Sequence, residues 1–112
     1  MGKFATYSKR GGGPRGFLSA PDVALFSLGA ITATTVEVNY SGTVPPQAAQ
    51  WRVRAISLTG ALSAAAVGTT TATLTGLVSA TTYNLYVEWL GTGIYANMPV
   101  SPLVFFAQVT TA

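Results

Sequence analysis

Apolar and polar residues alternate along much of the chain, most regularly in two segments. In residues 82–90 every second position is large and apolar: Tyr83, Leu85, Val87 and Trp89. In residues 50–57 the same period places Trp51, Val53 and Ala55 on one side and two arginines on the other. A period of two is typical of a strand with one buried face. We therefore predict two strands whose Trp and Tyr side chains lie in a core and form no exposed sugar platform.

Weaker strand patterns surround these two segments. We predict a strand over residues 23–28 that ends at Gly29, and one over residues 33–40 with Thr34, Val36, Val38 and Tyr40 on one face. Residues 69–77 and 102–111 complete the set, the latter alternating Leu103, Phe105, Ala107 and Val109 against their neighbours. Residues 61–66 are alanine-rich but too short to nucleate a helix, so we expect a loop or a weak edge strand. Seven short strands at regular spacing predict an all-β sandwich.

The clearest marker of the architecture lies between Leu77 and Tyr83. Leu77 ends one predicted strand, and Tyr83, six residues later, opens the next. A Tyr at such a turn can bury its ring while its hydroxyl bonds to the backbone a few residues upstream, an arrangement called the tyrosine corner. We therefore expect the chain to cross from one sheet to the other at this point.

These motifs resemble the fibronectin type III family over about residues 22–112. In that family the strand before the corner is commonly followed by Leu-x-Pro-Gly-Thr-x-Tyr, whereas here Ser79 and Ala80 replace the Pro-Gly pair. Further similarities are Trp51-Arg52-Val53-Arg54, Tyr40 followed by Pro45-Pro46, and the terminal Val109-Thr110-Thr111-Ala112. The resemblance implies a seven-stranded immunoglobulin-like sandwich formed by residues 22–112. It does not by itself imply a function.

Positive charge is concentrated in an N-terminal arm, residues 1–21. The chain has a formal net charge of +3, and the arm carries Lys3, Lys9, Arg10 and Arg15 without an acid. The sequence Gly11-Gly12-Gly13-Pro14 disfavours both helix and strand. In the remainder, two arginines, Arg52 and Arg54, stand against Asp22, Glu37 and Glu88. We expect the arginines to point outward and to face Glu37 and Glu88 across a sheet.

Catalytic chemistry has few residues available to it. The sequence contains no histidine and no cysteine, and its three acids lie in separate segments. Histidine is the commonest general base and metal ligand, and cysteine supplies thiolate chemistry. We therefore expect no enzymatic activity, no cofactor and no bound metal.

The arm is the strongest candidate for binding a partner. We predict that Phe4, Tyr7 and Phe17 bury their rings against an acidic protein surface while the four arm cations add attraction. Binding of nucleic acid is disfavoured, because four charges support only weak, salt-sensitive contact with phosphates; a solvated tail is the remaining alternative. Tyr95 and Met98, in the long connection 91–99, are predicted as a second, exposed contact.

Low charge indicates a surface that neighbours cover. Charged residues make up 8% of the sequence, and no apolar run is long enough for a membrane span or a secretory signal. The combination is similar to bacteriophage virion accessory proteins. This implies a non-enzymatic, multi-copy virion protein that decorates or cements a phage capsid through its arm, with the major capsid or tail protein as partner. A tail component and a cell-surface or carbohydrate-binding adhesion module are the alternatives.

Overall fold

The computed structural model describes residues 18–112, which form seven strands in two antiparallel sheets. A 3₁₀ turn at Val23–Leu25 precedes the first strand, and a second lies at Gly93–Tyr95. The strands are β1 (Phe26–Ile31), β2 (Val36–Tyr40), β3 (Gln50–Ser57), β4 (Ser63–Gly68), β5 (Thr71–Leu74), β6 (Thr82–Leu90) and β7 (Val104–Thr110).

The strand order is β1-β2-β5 in one sheet and β4-β3-β6-β7 in the other. The longest ladder joins β3 to β6 without interruption, from Gln50 opposite Leu90 to Ser57 opposite Tyr83. Because β4 follows β3 through a short turn and pairs with it, the fourth strand extends the sheet of β3, β6 and β7. This arrangement confirms the predicted all-β sandwich of seven strands.

The core lies between the two sheets and is aromatic at one end. Trp51 is fully buried, as predicted, and meets Phe26 edge-on with ring centroids 5.1 Å apart. Tyr40, Trp89 and Phe106 complete this cluster. The Trp51 Nε1–H donates to the Thr69 carbonyl oxygen at 2.9 Å, so its one polar group is satisfied although it is buried.

The tyrosine corner forms as predicted. The ring of Tyr83 is buried, and its hydroxyl accepts a hydrogen bond from the Val78 N–H at 3.0 Å. The Thr111 hydroxyl donates to the Val78 carbonyl oxygen at 2.6 Å and accepts from the Thr81 N–H at 3.0 Å. These bonds hold the crossing between sheets against the last residues of the chain.

The first strand begins and ends later than predicted. Asp22 accepts a hydrogen bond from the Ala24 N–H at 3.1 Å and so caps a 3₁₀ turn, which delays the strand to Phe26. The strand then runs through Gly29 to Ile31. Gly29 thus lies inside the strand, next to the Glu37 carboxylate, which accepts a hydrogen bond from the Ala30 N–H at 3.2 Å.

The predicted strand over residues 33–40 was too long at its start. The Thr32 hydroxyl accepts from the Thr34 and Thr35 N–H groups, so these residues form a turn and Thr34 is exposed. The predicted strand over residues 69–77 is also too long, since only residues 71–74 form β5. Leu77 lies beyond the end of β5 but is buried, as expected. The ambiguous alanine segment is an edge strand, β4.

Strict alternation was wrong for the last strand. In β7, Ala107 lies opposite Leu85 and Phe105 lies opposite Tyr86, so Phe106 has no counterpart and forms a bulge. The extra residue reverses which positions face inward. Val104 and Phe106 therefore pack against the core, whereas Phe105 is 50% exposed.

Replacing Tyr83 with Phe should lower the free energy of unfolding by about 1–2 kcal/mol, because the Val78 N–H would lose its acceptor. The matched control is Tyr86→Phe on the same strand, whose hydroxyl has no hydrogen-bond partner within residues 18–112. Urea unfolding of both variants measures the difference. Equal effects would show that the hydroxyl of Tyr83 does not stabilise the corner.

Replacing Ala80 with Gly should stabilise the fold. Ala80 has φ of 51°, in the left-handed region where a Cβ costs about 1–2 kcal/mol, and it stands where the resembled family has glycine. Since glycine also loses more backbone entropy on folding, we expect a net gain of about 0.5–1 kcal/mol in urea unfolding. Ser79→Gly, the neighbouring control, should destabilise, and a loss of stability in Ala80→Gly would contradict the argument.

Candidate interaction surface

The N-terminal arm joins the sandwich at the end that carries the predicted loop contact. The Leu18 N–H donates to the Val100 carbonyl oxygen at 2.7 Å, just beyond the loop 91–99. The β2–β3 connection is at this end too, since the Ala49 N–H donates to the Leu90 carbonyl oxygen at 3.0 Å. The C terminus lies at the opposite end, where Ala112 bonds to Thr32 at 3.1 Å. Leu18, the first described residue after the predicted arm contacts, and the loop 91–99 thus lie at the same end of the sandwich.

The loop 91–99 is held by its own backbone. The Gly91 N–H donates to the Met98 carbonyl oxygen at 2.9 Å, and the Met98 N–H donates to the Tyr95 carbonyl oxygen at 3.0 Å. Gly91 is required here, because a Cβ would lie 2.7 Å from the Tyr95 Cβ and 2.9 Å from Val100 Cγ1. Asn97 adopts φ of 65°, which Asn tolerates better than most residues. The loop is therefore folded back on itself by backbone hydrogen bonds, with Gly91 at its closest approach.

This loop presents apolar side chains outward. Ile94 is 86% exposed, Tyr95 49% and Met98 50%. Tyr95 and Met98 were predicted to be exposed in this connection, and the structure places them there; that they bind a partner stays a prediction. Ile94 was not predicted as a contact, although its position directly after Gly91-Thr92-Gly93 is a signal for a turn and hence for exposure. We call Ile94, Tyr95 and Met98 the loop cluster.

Seven predicted arm contacts lie outside the described residues: Lys3, Phe4, Tyr7, Lys9, Arg10, Arg15 and Phe17. The last four residues of the predicted arm, 18–21, are described. Leu18 packs against the core and Pro21 is buried, so this stretch contacts the sandwich. The domain boundary at residue 21 stays a prediction.

Each acid of the sandwich has a structural partner. Asp22 caps the first 3₁₀ turn, and Glu37 accepts from the Ala30 backbone in the three-stranded sheet. The prediction that an arginine faces Glu37 is wrong, because β2 and β3 belong to different sheets. Within residues 18–112 no group of three or more acidic, Cys or His side chains could hold a metal ion. Likewise, no described helix has the length and apolarity to span a membrane.

Glu88 is predicted correctly as the partner of both arginines. Arg52 Nη2 lies 2.7 Å and Arg54 Nη1 lies 3.9 Å from Glu88 Oε2, and the Arg52 Nε–H also donates to this oxygen at 2.8 Å. Glu88 is 3% exposed although it lies on the outer face of the sheet. A buried carboxylate without a cation would be strongly unfavourable, so the pair is required once Glu88 is buried.

Tyr40 lies at the β2–β3 connection with its hydroxyl close to the arm-bearing end. The hydroxyl donates to the Thr43 carbonyl oxygen at 3.3 Å. Burial of the ring, together with the negative charge of Asp22, raises the pKa of Tyr40 above its ordinary value. A tyrosine hydroxyl is neutral at physiological pH even without this shift, so Tyr40 contributes packing and a hydrogen bond, and no charge, to this end.

The outer face of the four-stranded sheet carries a second apolar area. Tyr86 and Phe105 meet edge-on with ring centroids 5.9 Å apart. Leu103 and Val67 are exposed on the two flanking edges. Two side-chain amides, Asn84 and Gln108, hydrogen-bond each other beside the aromatic pair at 3.1 Å. The same face carries Arg52 and Glu88, which form an ion pair, and the half-exposed Arg54, which lies opposite Tyr86 in the ladder.

No family model matches the sequence, and no curated protein matches it. Among solved structures, a two-domain fibronectin type III segment of chicken tenascin is 18% identical (TM-score 0.59), over 83% of this chain and 49% of that one. The FN1–FN3 domains of chicken CNTN1 are 12% identical (TM-score 0.61), over 85% of this chain and 32% of that one. The fn3 domain of the human collagen alpha-1(XX) chain is 22% identical (TM-score 0.56), over 96% and 88% respectively.

These similarities establish a fibronectin type III-like fold for the chain. It spans about half of the tenascin segment and a third of the CNTN1 segment. At these sequence identities the similarity establishes the fold only. The function has to be inferred from the surfaces of this chain.

Replacing Arg52 with Met should lower the free energy of unfolding by about 2–4 kcal/mol, because Glu88 would keep only the more distant Arg54. Arg54→Met is the matched control and should cost less than about 1 kcal/mol, since the Arg54 side chain is 47% exposed. Guanidinium chloride would screen the ion pair, so urea unfolding is the measurement. A larger loss in Arg54→Met than in Arg52→Met would reverse the assignment of the main partner.

Proposed function

We propose that this protein is a non-catalytic binding module that attaches in many copies to a bacteriophage virion, with the capsid as the favoured location. The observation that carries the proposal is the shared end of the sandwich. The arm is joined to Leu18 beside Val100, and the loop cluster projects from the same end. One partner surface can therefore contact both regions at once.

The charges of the two parts favour an acidic partner surface. The arm carries four cations and no acid, whereas the sandwich has two arginines that both face Glu88. The sandwich therefore neither attracts nor repels a charged surface strongly. Attraction is concentrated at the end where the arm is attached, which orients the module during encounter.

Aromatic residues of the arm should contribute more to affinity than its cations. An exposed ion pair contributes about 0–1 kcal/mol, whereas full burial of a Phe side chain contributes about 1.5–3 kcal/mol. Phe4, Tyr7 and Phe17 offer three such rings, and the loop cluster adds further apolar area. The cations then mainly set the rate and orientation of binding.

The composition supports residence in an assembly. Charged residues make up 8% of the chain, against roughly 25–35% of a typical surface. Large apolar side chains are exposed at the loop end, where the arm joins the sandwich. A module whose surface is covered by copies of a partner needs fewer surface charges to stay in solution.

An adhesion module that binds a cell surface or a carbohydrate is the second candidate. The loop cluster favours it, because Tyr95 and Ile94 are presented on a defined loop and could contact a ligand without the arm. A tail component is a variant of the first proposal, with the same attachment to a different virion protein.

The test is binding of full-length variants to purified virions, measured by co-sedimentation at low and high salt. The triple variant Phe4→Ser, Tyr7→Ser, Phe17→Ser should lose at least about tenfold in affinity at both salt concentrations, the result of removing more than 1.4 kcal/mol. The variant Lys3→Gln, Lys9→Gln, Arg10→Gln, Arg15→Gln should lose affinity mainly at low salt. Phe105→Ser, an exposed aromatic outside the shared end, is the control and should bind normally.

Gold labelling of the bound protein distinguishes capsid from tail. Absence of the protein from purified virions would contradict the proposal, as would a triple variant that binds like the unmodified chain. Loss of binding to cells or glycans on Tyr95→Ser, with no effect of the arm variants, would favour the adhesion module instead.

A further inference from the structure

The free edge of β4 is the least protected strand edge of the described sandwich. β4 is the outermost strand of the four-stranded sheet, and its pairing with β3 is unbroken from Trp51 opposite Gly68 to Ile56 opposite Ser63. Within residues 18–112, the backbone of Ser63–Gly68 has no hydrogen bonds outside this ladder. Alternate N–H and C=O groups of β4 therefore point outward from the sheet, ready to pair with another strand.

The other three edges of the sandwich each carry a feature that limits such pairing. The registers of β1 and β7 shift, the first between Leu28 and Ile31 and the second opposite Leu85 and Tyr86. β5 has four residues, too few for a long ladder. Bulges and short length are recognised means of preventing edge-to-edge association. β4 has six residues, without a bulge, a proline or a charge.

We propose that β4 pairs antiparallel with β4 of a second copy, which joins two four-stranded sheets into one continuous sheet. The occupant is a second copy because the edge is complementary to itself. In an antiparallel pair, directly opposed residues lie on the same face, so a symmetric register must be centred on a residue. With Ala65 opposite Ala65 of the second copy, Ser63 meets Val67 and Ala64 meets Ala66.

This register keeps the two faces of the sheet distinct. Ala64 and Ala66 are partly buried against the core, whereas Ala65 and Val67 are exposed on the outer face. Core-side residues therefore meet core-side residues, and outer residues meet outer residues. No side chain has to leave the core, and no bulky or charged side chain stands between the two backbones.

The arginines nearest this edge do not oppose the pairing. Arg54 lies beside Ala65 in the ladder, so the two Arg54 side chains would stand three strand spacings apart, roughly 14 Å. This exceeds the screening distance of about 8 Å at physiological salt. Each Arg54 also faces its own Glu88 at 3.9 Å. β4 forms the edge of the sheet opposite β7, and the inference stands independently of the proposed role in a virion.

The absence of cysteine from the sequence allows a direct test by single-cysteine variants of the full chain. Directly opposed residues in an antiparallel pair have Cα atoms about 4.5–5.5 Å apart, which suits a disulfide. Ala65→Cys should therefore form a disulfide-linked dimer under mild oxidation. Val67→Cys is the matched control on the same strand and face: its counterpart would lie about 13 Å away, four residues along the strand, so no disulfide can form.

We expect Ala65→Cys to cross-link at least about tenfold faster than Val67→Cys, and the double variant Ser63→Cys, Val67→Cys to cross-link as Ala65→Cys does. Equal rates for the two single variants, or no dimer from either, would overturn the proposal. Faster cross-linking of Val67→Cys would overturn the register centred on Ala65.

A second measurement needs no covalent trap. Sedimentation velocity of the unmodified chain over a concentration series should show a dimer that Ala65→Lys weakens several-fold, because the two lysines would be directly opposed. Val67→Lys, whose counterpart in the second copy is Ser63, should retain the dimer affinity. A dimer whose affinity falls more in Val67→Lys than in Ala65→Lys, or in neither, would place the contact elsewhere and overturn the proposal.

Discussion

The ladder between β3 and β6 is the constraint on which the rest of the molecule depends. Its eight residue pairs set which side chains of the two central strands face inward. Trp51 lies opposite Trp89 and Val53 opposite Val87, and all four are buried against the facing sheet. A shift of one residue would turn these side chains to solvent and bury the arginines in their place. The hydrophobic core therefore fixes the register, and the register fixes the positions of the outward side chains and of the loops that leave these two strands.

Two surfaces follow from this ladder. On the outer face, the same register sets Arg52 directly opposite Glu88, so a carboxylate can be buried there with its charge compensated. At the end of β6, the chain leaves the sheet into the loop 91–99, and Val100 returns to bond with Trp89 and with Leu18. The strand that carries the core thus also brings together the arm and the loop cluster, on which the proposed attachment rests.

The strand edges of the sandwich differ in how regular they are. Bulges interrupt β1 and β7, while β4 on the far side of the four-stranded sheet remains regular and uncharged. The end bearing the arm and the edge bearing β4 are different parts of the surface. The two proposals together describe a module that attaches to one partner and to its own copies at the same time.

The sequence by itself determined the sandwich, its buried aromatics and the corner at Tyr83, because period-two burial and the Leu-to-Tyr spacing are local signals. It also marked Tyr95 and Met98 as exposed and Glu88 as a partner of the arginines. Only the tertiary structure decided that Glu37 accepts a hydrogen bond from β1 and that the bulge at Phe106 reverses the faces of β7. The same is true of the position of Leu18, which lies at the end that carries the loop cluster. Those outcomes depend on which strands become neighbours, and local alternation carries no information about neighbours distant in sequence.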